Sequence, residues 1–528
     1  MPDSFWDFPY PSRRVPVMAA NVVATSQPLA AQAGLRALYR GGNAVDAAVA
    51  AAMALAVVEP TGNGLGSDAF ALVWAGGRLH GFNGSGRAPA AWTPERFAGR
   101  TEMPETGWDT VTVPGAVDAW ARLHERFGRL AFAELAEPAL RYAREGFPVS
   151  PTVAEQWASA ESKLGNFEGF RRTFLPGGRA PRAGERFANP DLAASLSQIV
   201  DSRGEAFYRG DLAQRIAAAA SDEGGALTPE DLADHRGEWV IPMGVDFQGV
   251  QLHEIPPNGQ GLTALVALGV LRHLPLNEFP VDSAESIHLQ VEAMKIGFAL
   301  AAAHIADPDH MRVAPESLLE DAFLADLAGR VRRDRAAAPG PPPPISPGTV
   351  YLATADAEGM MVSFIQSNYA GFGSGIVPTG TGVGLQNRGR GFSLEPGHPN
   401  QVAGGKRPFH TIIPGFVTRG GEALMSFGVM GAHMQPQGHV QMLVRLFVYG
   451  QNPQAAADAP RWHLCEDGKL ALESGIGADV ADELAARGHR LLDGPPPWGY
   501  GGAQLILRRE GTYCGASDPR KDGQAAGF

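Results

Sequence analysis

The sequence predicts an α+β protein in two unequal pieces, and three observations carry that reading. Much of residues 28–304 shows helical apolar periodicity, interrupted by short strands. From Thr349 onward strand patterns dominate. Between the two lies a run that no packed element can use, Ala336-Ala337-Ala338-Pro339-Gly340 followed by Pro341 to Pro344. Proline fixes φ and lacks an N–H, so the run reads as an extended, exposed tether over 336–348.

Bulk properties narrow the function classes. Of 528 residues, 44% are hydrophobic and 19% charged, enough apolar material for a large core. The net charge of −12, with no basic run longer than Arg332-Arg333-Asp334-Arg335, argues against a nucleic-acid partner. Cys465 and Cys514 alone provide neither a disulfide framework nor a thiolate metal site. Met1 to Arg14 lacks an apolar segment behind a basic one, so no signal peptide is expected and the predicted location is cytoplasmic. Ala47 to Val58 is too short to span a bilayer and predicts a buried helix; no membrane partner is expected.

In chain order, Val22 to Thr25 reads as a strand and Ser26-Gln27-Pro28 as the opening of a helix, with proline in its first turn. Asn43 caps a second helix, apolar all round and therefore sandwiched inside the fold. Glu59 to Asp68 is a Gly-rich loop that fits neither common phosphate-binding pattern and leads into the strand Ala69 to Trp74. Leu79 to Phe82 is a further strand. Helical patterning runs from Val113 to Glu145, short helices fill 150–245, and a helix ends at His304. His288 and Glu292 share one face of that helix, where helix pairing explains them better than a metal. His410, His433 and His439, taken with Asp309, match no ligand spacing, so neither metal nor cofactor is expected. Met425 to Val429 forms a strand, Met430 to His433 a turn, and Pro436 opens a helix through Val448. Backbone N–H groups at such a strand–turn–helix junction suit an oxyanion.

Thr349 opens a β-branched strand that runs to a turn at Asp356 and Gly359, before a second strand, Met360 to Ser367. Cleavage before Thr349 would give it a free amine able to act as general base for its own hydroxyl. Taken alone, the tether and strand fit an ordinary interdomain linker better, because strands often begin with Thr.

Resemblance changes that balance. Gly348-Thr349 with Tyr351 and Asp356, then Gly371-Phe372-Gly373-Ser374-Gly375-Ile376-Val377, resemble the small-subunit start of the gamma-glutamyltransferase family. Gln386-Asn387, Lys406-Arg407-Pro408 and the ending Gly515-Ala516-Ser517-Asp518-Pro519-Arg520 do so too, and the likeness spans nearly the whole chain. It implies the four-layer αββα sandwich of the N-terminal-nucleophile hydrolases. It also implies self-cleavage between Gly348 and Thr349 into fragments 1–348 and 349–528 that stay associated. The family would place a hydroxyl at Ser367 on the nucleophile's amine and an oxyanion hole at Gly431 and Ala432. Ala432 replaces the family's second glycine, which a backbone donor tolerates unless its φ must be positive.

The candidate substrate-binding set is Ser85, Arg87, Tyr369, Asn387, Arg388, His410 and Thr411. Two departures stand out. The family's carboxylate-binding arginine falls at Ser85, with Arg87 two residues later. Its ammonium-binding aspartate falls at Gly391, within Arg388-Gly389-Arg390-Gly391. The expected partner is a small amide, through a threonine acyl-enzyme; homo-oligomerisation stays open. Three activities stay open: a gamma-glutamyl hydrolase or transferase, an acylase on glutaryl-type or oxamate-like amides, and a non-enzymatic relative.

Overall fold

The computed structural model describes residues 14–338, 348–465, 467–492, 494 and 497–528. Met1 to Arg13 and residues 339–347, on which most of the leader and tether readings rest, lie outside the described residues.

Two seven-stranded antiparallel sheets form the centre. The first runs Gln524–Gly527, Val22–Thr25, Val350–Ala355, Met361–Ser367, Asp68–Ala75, Arg78–Asn83, Glu238–Val240. The second runs Val17–Ala19, Thr512–Ser517, Gly502–Arg509, Glu422–Met430, Gly415–Arg419, Val250–Glu254, Met243–Phe247. Strand alternation sorts the layers. Tyr351 and Ala353 face the other sheet, where they meet Ile255, Phe416 and Ile506. Val350 and Leu352 face outward, into a core shared with the helices. A second helical layer, built on Gly261–Leu271, Ala284–His304 and Met434–Leu443, covers the other sheet. The result is the four-layer αββα sandwich. With both faces covered, the Val350–Ala355 strand is buried at every position, which is why it reads as near-continuous apolar sequence.

The helix Ala44–Val58 is buried along its whole length. It packs between the Val350–Ala355 and Met361–Ser367 strands and the helices Pro28–Tyr39, Ala116–Phe127 and Phe132–Glu145. Asn43 and Asp46 form a reciprocal capping box at its start. Asp356 Oδ2 accepts the Ala44 N–H at 2.8 Å, and Thr354 Oγ1 donates to the Ala44 carbonyl at 2.7 Å. Two predicted elements differ in detail. The helical pattern of 113–145 is two helices that break at Gly128, where Asp46 accepts the Arg129 N–H. The helix placed from Pro436 begins at Met434 and closes in a π-turn over Val444–Val448. Among the described residues, no helix is long and apolar enough to cross a membrane.

The hairpin that opens the C-terminal piece is hydrogen-bonded on both edges to strands of the N-terminal piece. Cleaved protein should therefore elute as one species containing both fragments, which separate only in denaturant. Spontaneous separation on size-exclusion chromatography in plain buffer would contradict this interleaving.

Candidate active site

The antiparallel register pairs Val350 with Gln366, which puts Thr349 beside Ser367 at the end of the hairpin. Thr349 Oγ1 and Ser367 Oγ are 3.1 Å apart, and both residues are buried. Ser367 Oγ donates to the Gly348 carbonyl at 2.6 Å and accepts the Tyr369 N–H at 2.8 Å. A hydroxyl has one proton and two lone pairs. With its proton on Gly348 O, Ser367 can meet Thr349 only as an acceptor. The Thr349 hydroxyl then points its proton at Ser367 while the Gly348 carbonyl is polarised. Gly348 has φ +155°, and a side-chain carbon there would overlap the Gly371 backbone nitrogen. Only glycine fits at position 348.

The Gly-rich loop lies against Thr349. A Cβ on Gly62 would stand 3.2 Å from Thr349 N, Gly62 O accepts the Asn368 N–H at 3.0 Å, and Ser67 Oγ donates to Asn368 Oδ1 at 2.8 Å. Asp68, at the loop's end, pairs in register with Ser367. Its Oδ1 accepts Gly115 N–H at 3.1 Å and its Oδ2 meets His410 Nε2 at 3.0 Å. Burial raises the Asp68 pKa to about 7, opposed first by the charge of Arg388. Burial, then Arg388, holds His410 well below its ordinary range, and Ile412 N–H donates to its Nδ1 at 3.4 Å, which leaves Nε2–H to donate to Asp68.

Arg388 is fully buried behind the hydroxyl pair. Nη1 donates to Thr411 Oγ1 at 2.7 Å, Nη2 reaches Ser367 Oγ at 3.4 Å, and the guanidinium lies 4.3 Å over the Tyr369 ring. Its Nε has no partner among the described residues. Desolvation lowers its pKa to about 10, with Asp68 the main opposing charge. Arg388, His410, Thr411 and Tyr369 thus converge, as a bed beneath Ser367. Asn387 pins adjacent loops, accepting Ala370 N–H at 3.1 Å and donating to the Glu105 carbonyl at 2.8 Å.

Gly431 and Ala432 form the expected turn, with φ of +120° and +51°. Ala432 therefore does occupy the left-handed region, at a cost of about 1–2 kcal/mol relative to glycine. Gln260 Nε2 donates to the carbonyls of Ala432 and Thr411, at 2.9 and 2.5 Å. Through Thr411 and Arg388 this hydrogen-bond chain joins the turn to Ser367. Ser85 and Arg87 lie elsewhere. Ser85 is buried against Asn83 and Asn258, and Arg87 pairs with buried Asp307 at 3.1 Å and with Glu238 at 3.5 Å. Neither lines the cleft at Thr349.

That cleft, of about 200 Å³, is walled by Thr61, Gly348, Thr349, Phe372, Arg390 and Lys521, with Glu105 and Lys163 at its side. Sequence reasoning missed Asp68, Glu105, Lys163 and Lys521. Asp68 carried a faint signal as the acid closing a Gly-rich loop before a strand; the others carried none.

The histidines weighed as metal ligands part company. His410 meets Asp68, and His439 meets Glu254 at 2.5 Å. His288 and Glu292 do gather with His489, their ligand atoms within 4.8 Å of one another. Each is already engaged: His288 with His489 and the Arg332 carbonyl, Glu292 with Lys295 and the Ala337 N–H.

Comparison with known proteins matches residues 30–528 to the gamma-glutamyltranspeptidase family. The chain belongs to that family. It is 38% identical over 519 residues to the glutathione hydrolase-like YwrD proenzyme of Bacillus subtilis, covering 96% of this chain and 98% of the relative. It is 37% identical over 515 residues to the oxamate amidohydrolase proenzyme of Klebsiella pneumoniae, covering 95% and 97%. Its fold matches a crystal structure of cephalosporin acylase from Bacillus halodurans with a TM-score of 0.95 and 47% identity, covering 99% of this chain and 98% of that one. This family member is thus an enzyme of the N-terminal-nucleophile hydrolases, with relatives named as proenzymes.

Three outcomes test this site. Wild type should mature into a fragment beginning at Thr349, whereas Thr349→Ala and Gly348→Ala stay as one chain by intact mass. Ser367→Ala should fold but lose about ten- to a hundredfold in rate, the loss of one hydrogen bond to a reactive group; unchanged turnover removes Ser367 from the chemistry. The third concerns Glu59, buried behind the cleft and hydrogen-bonded by Ser26 Oγ at 2.5 Å. Burial raises its pKa from 4.5 to about 7, with Lys521 opposing. The fold then binds more protons than the unfolded chain between those values, so stability falls as pH rises through that window. Glu59→Gln should flatten this fall in denaturant midpoints; an unaltered slope would refute it.

Proposed function

We propose that the chain is a self-cleaving threonine amidohydrolase whose acyl group lacks an α-ammonium. The observation that carries the first part is Ser367 Oγ within hydrogen-bond reach of both Thr349 Oγ1 and the Gly348 carbonyl. In maturation, Thr349 Oγ1 attacks the Gly348 carbonyl carbon, the peptide C–N bond breaks, and the nitrogen takes the hydroxyl proton. Water then hydrolyses the resulting ester, freeing Gly348 as a carboxylate. In turnover, the freed amine takes the Thr349 hydroxyl proton as the oxygen attacks a substrate amide. The leaving amine departs with that proton, and water or an amine acceptor resolves the acyl-enzyme.

The acyl preference rests on Gly391. A side-chain carbon at this position would overlap the Phe409 carbonyl oxygen, so position 391 has no room for an acid that would hold an ammonium. Nearby charge is cationic, from Arg388 and Arg390. Names of relatives as an oxamate amidohydrolase and a cephalosporin acylase accord with non-glutamyl acyl groups. The glutathione hydrolase-like relative favours the other reading, which Glu105 would serve as ammonium partner.

The measurement is kcat/KM for matched gamma-glutamyl and glutaryl anilides. Glutaryl should be the better substrate, because one lost charged contact costs about 2–5 kcal/mol. A gamma-glutamyl preference of about a hundredfold or more, near 2.7 kcal/mol, would overturn the acyl assignment.

A further inference from the structure

Arg390 and Lys163 share a single carboxylate beside the nucleophile. Arg390 Nη2 is 2.9 Å from Glu105 Oε1, and Lys163 Nζ is 2.7 Å from Glu105 Oε2. All three side chains line the cleft that Thr349 opens into. Two cations on one anion leave an excess positive charge. Lys521, a third cation of the same cleft, faces Glu59 at 4.0 Å instead.

The three differ in how firmly they are held. Arg390 is 16% exposed, while Glu105 and Lys163 are about half exposed, at 51% and 49%. An ion pair this open to water contributes little net energy, so it exchanges readily for another carboxylate. Glu105 itself is not free to leave, because Asn387 Nδ2 holds its backbone carbonyl at 2.8 Å. Its side chain can rotate off the two cations while its backbone keeps the cleft wall in place. Arg390, the more enclosed partner, presents a fork that suits a bidentate carboxylate.

We propose that Arg390 and Lys163 form the subsite for a carboxylate at the far end of the acyl group, with Glu105 as the resident counter-ion that substrate displaces. This deepens the amidohydrolase reading and rests on it. The substrate class becomes monoamides of short dicarboxylic acids, and specificity is set by a competition inside the cleft. A substrate ammonium seated on Glu105 is the opposite use of the same three residues, and the two uses predict opposite signs for one substitution.

The test uses mature protein, verified by mass as cleaved before Thr349, and two matched anilides: glutaryl, and its neutral primary-amide counterpart glutaramoyl. Wild type should show a higher kcat/KM for glutaryl. Arg390→Gln should lower the glutaryl-to-glutaramoyl ratio about tenfold, chiefly through KM, as expected for one charged hydrogen bond. Lys163→Gln, at an exposed position, should lower it in the same direction and serves if the arginine variant does not mature. Glu105→Gln should raise the ratio, because the competitor is gone. A wild-type ratio near one, or a ratio that Arg390→Gln and Lys163→Gln leave unchanged, overturns the subsite while the amidohydrolase reading stands. A Glu105→Gln enzyme that loses gamma-glutamyl turnover without gaining on glutaryl overturns it in favour of the ammonium site. Cleaved wild type that hydrolyses no anilide at all overturns the activity and the subsite together.

Discussion

The register of one hairpin governs this molecule. Val350 opposite Gln366 places Thr349 beside Ser367, and the same hairpin is clasped between Val22–Thr25 and Asp68–Ala75 of the N-terminal piece. A slip of one residue would turn Tyr351 and Ile365 out of the space between the sheets and Val350 and Phe364 out of the helical core. With both faces buried, that slip is prohibitive, so the positions of the two hydroxyls follow from bulk packing. The hairpin would also make cleavage before Thr349 compatible with a single fold: the 348–349 bond lies ahead of the first registered pair, Val350 with Gln366.

Behind the hydroxyls sits a buried arrangement of opposite charges. Arg388 and Asp68 are both fully enclosed, a costly condition unless each is compensated. The compensation is shared: His410 and Gly115 donate to Asp68, Thr411 accepts from Arg388, and Tyr369 lies under the guanidinium. Positive φ at Tyr369 and Ala432, uncommon for non-glycine residues, falls at the edges of this site. The other such residues described, Arg203, Gln248, Asp282 and Glu510, lie outside it.

Position 391 follows a different rule, that of available space. Gly391 against the Phe409 carbonyl leaves no volume for a side chain, and the neighbouring Arg390 sends its charge into the cleft instead. On the proposal above, recognition passes from position 391 to the ion cluster at the cleft's side.

Some of this was legible in the amino-acid sequence because it is local. The buried helix after Asn43, the strand opening at Thr349 and the strand–turn–helix junction at Gly431 follow from periodicity, capping and backbone chemistry within a few residues. The resemblance added the expectation that Thr349 and Ser367 meet, and their hydroxyls lie 3.1 Å apart. Tertiary structure decided what depends on segments far apart in the chain. It took Ser85 and Arg87 out of the cleft by engaging Arg87 with Asp307, 220 positions away. It set Asp68 behind Ser367, turned Arg388 into a buried support, and brought Glu105, Lys163 and Arg390 together. Sequence periodicity reports which face of an element is apolar; it holds no record of which distant side chains will share a desolvated space. Charge pairing across the fold is therefore the part that the chain reveals only once it is closed.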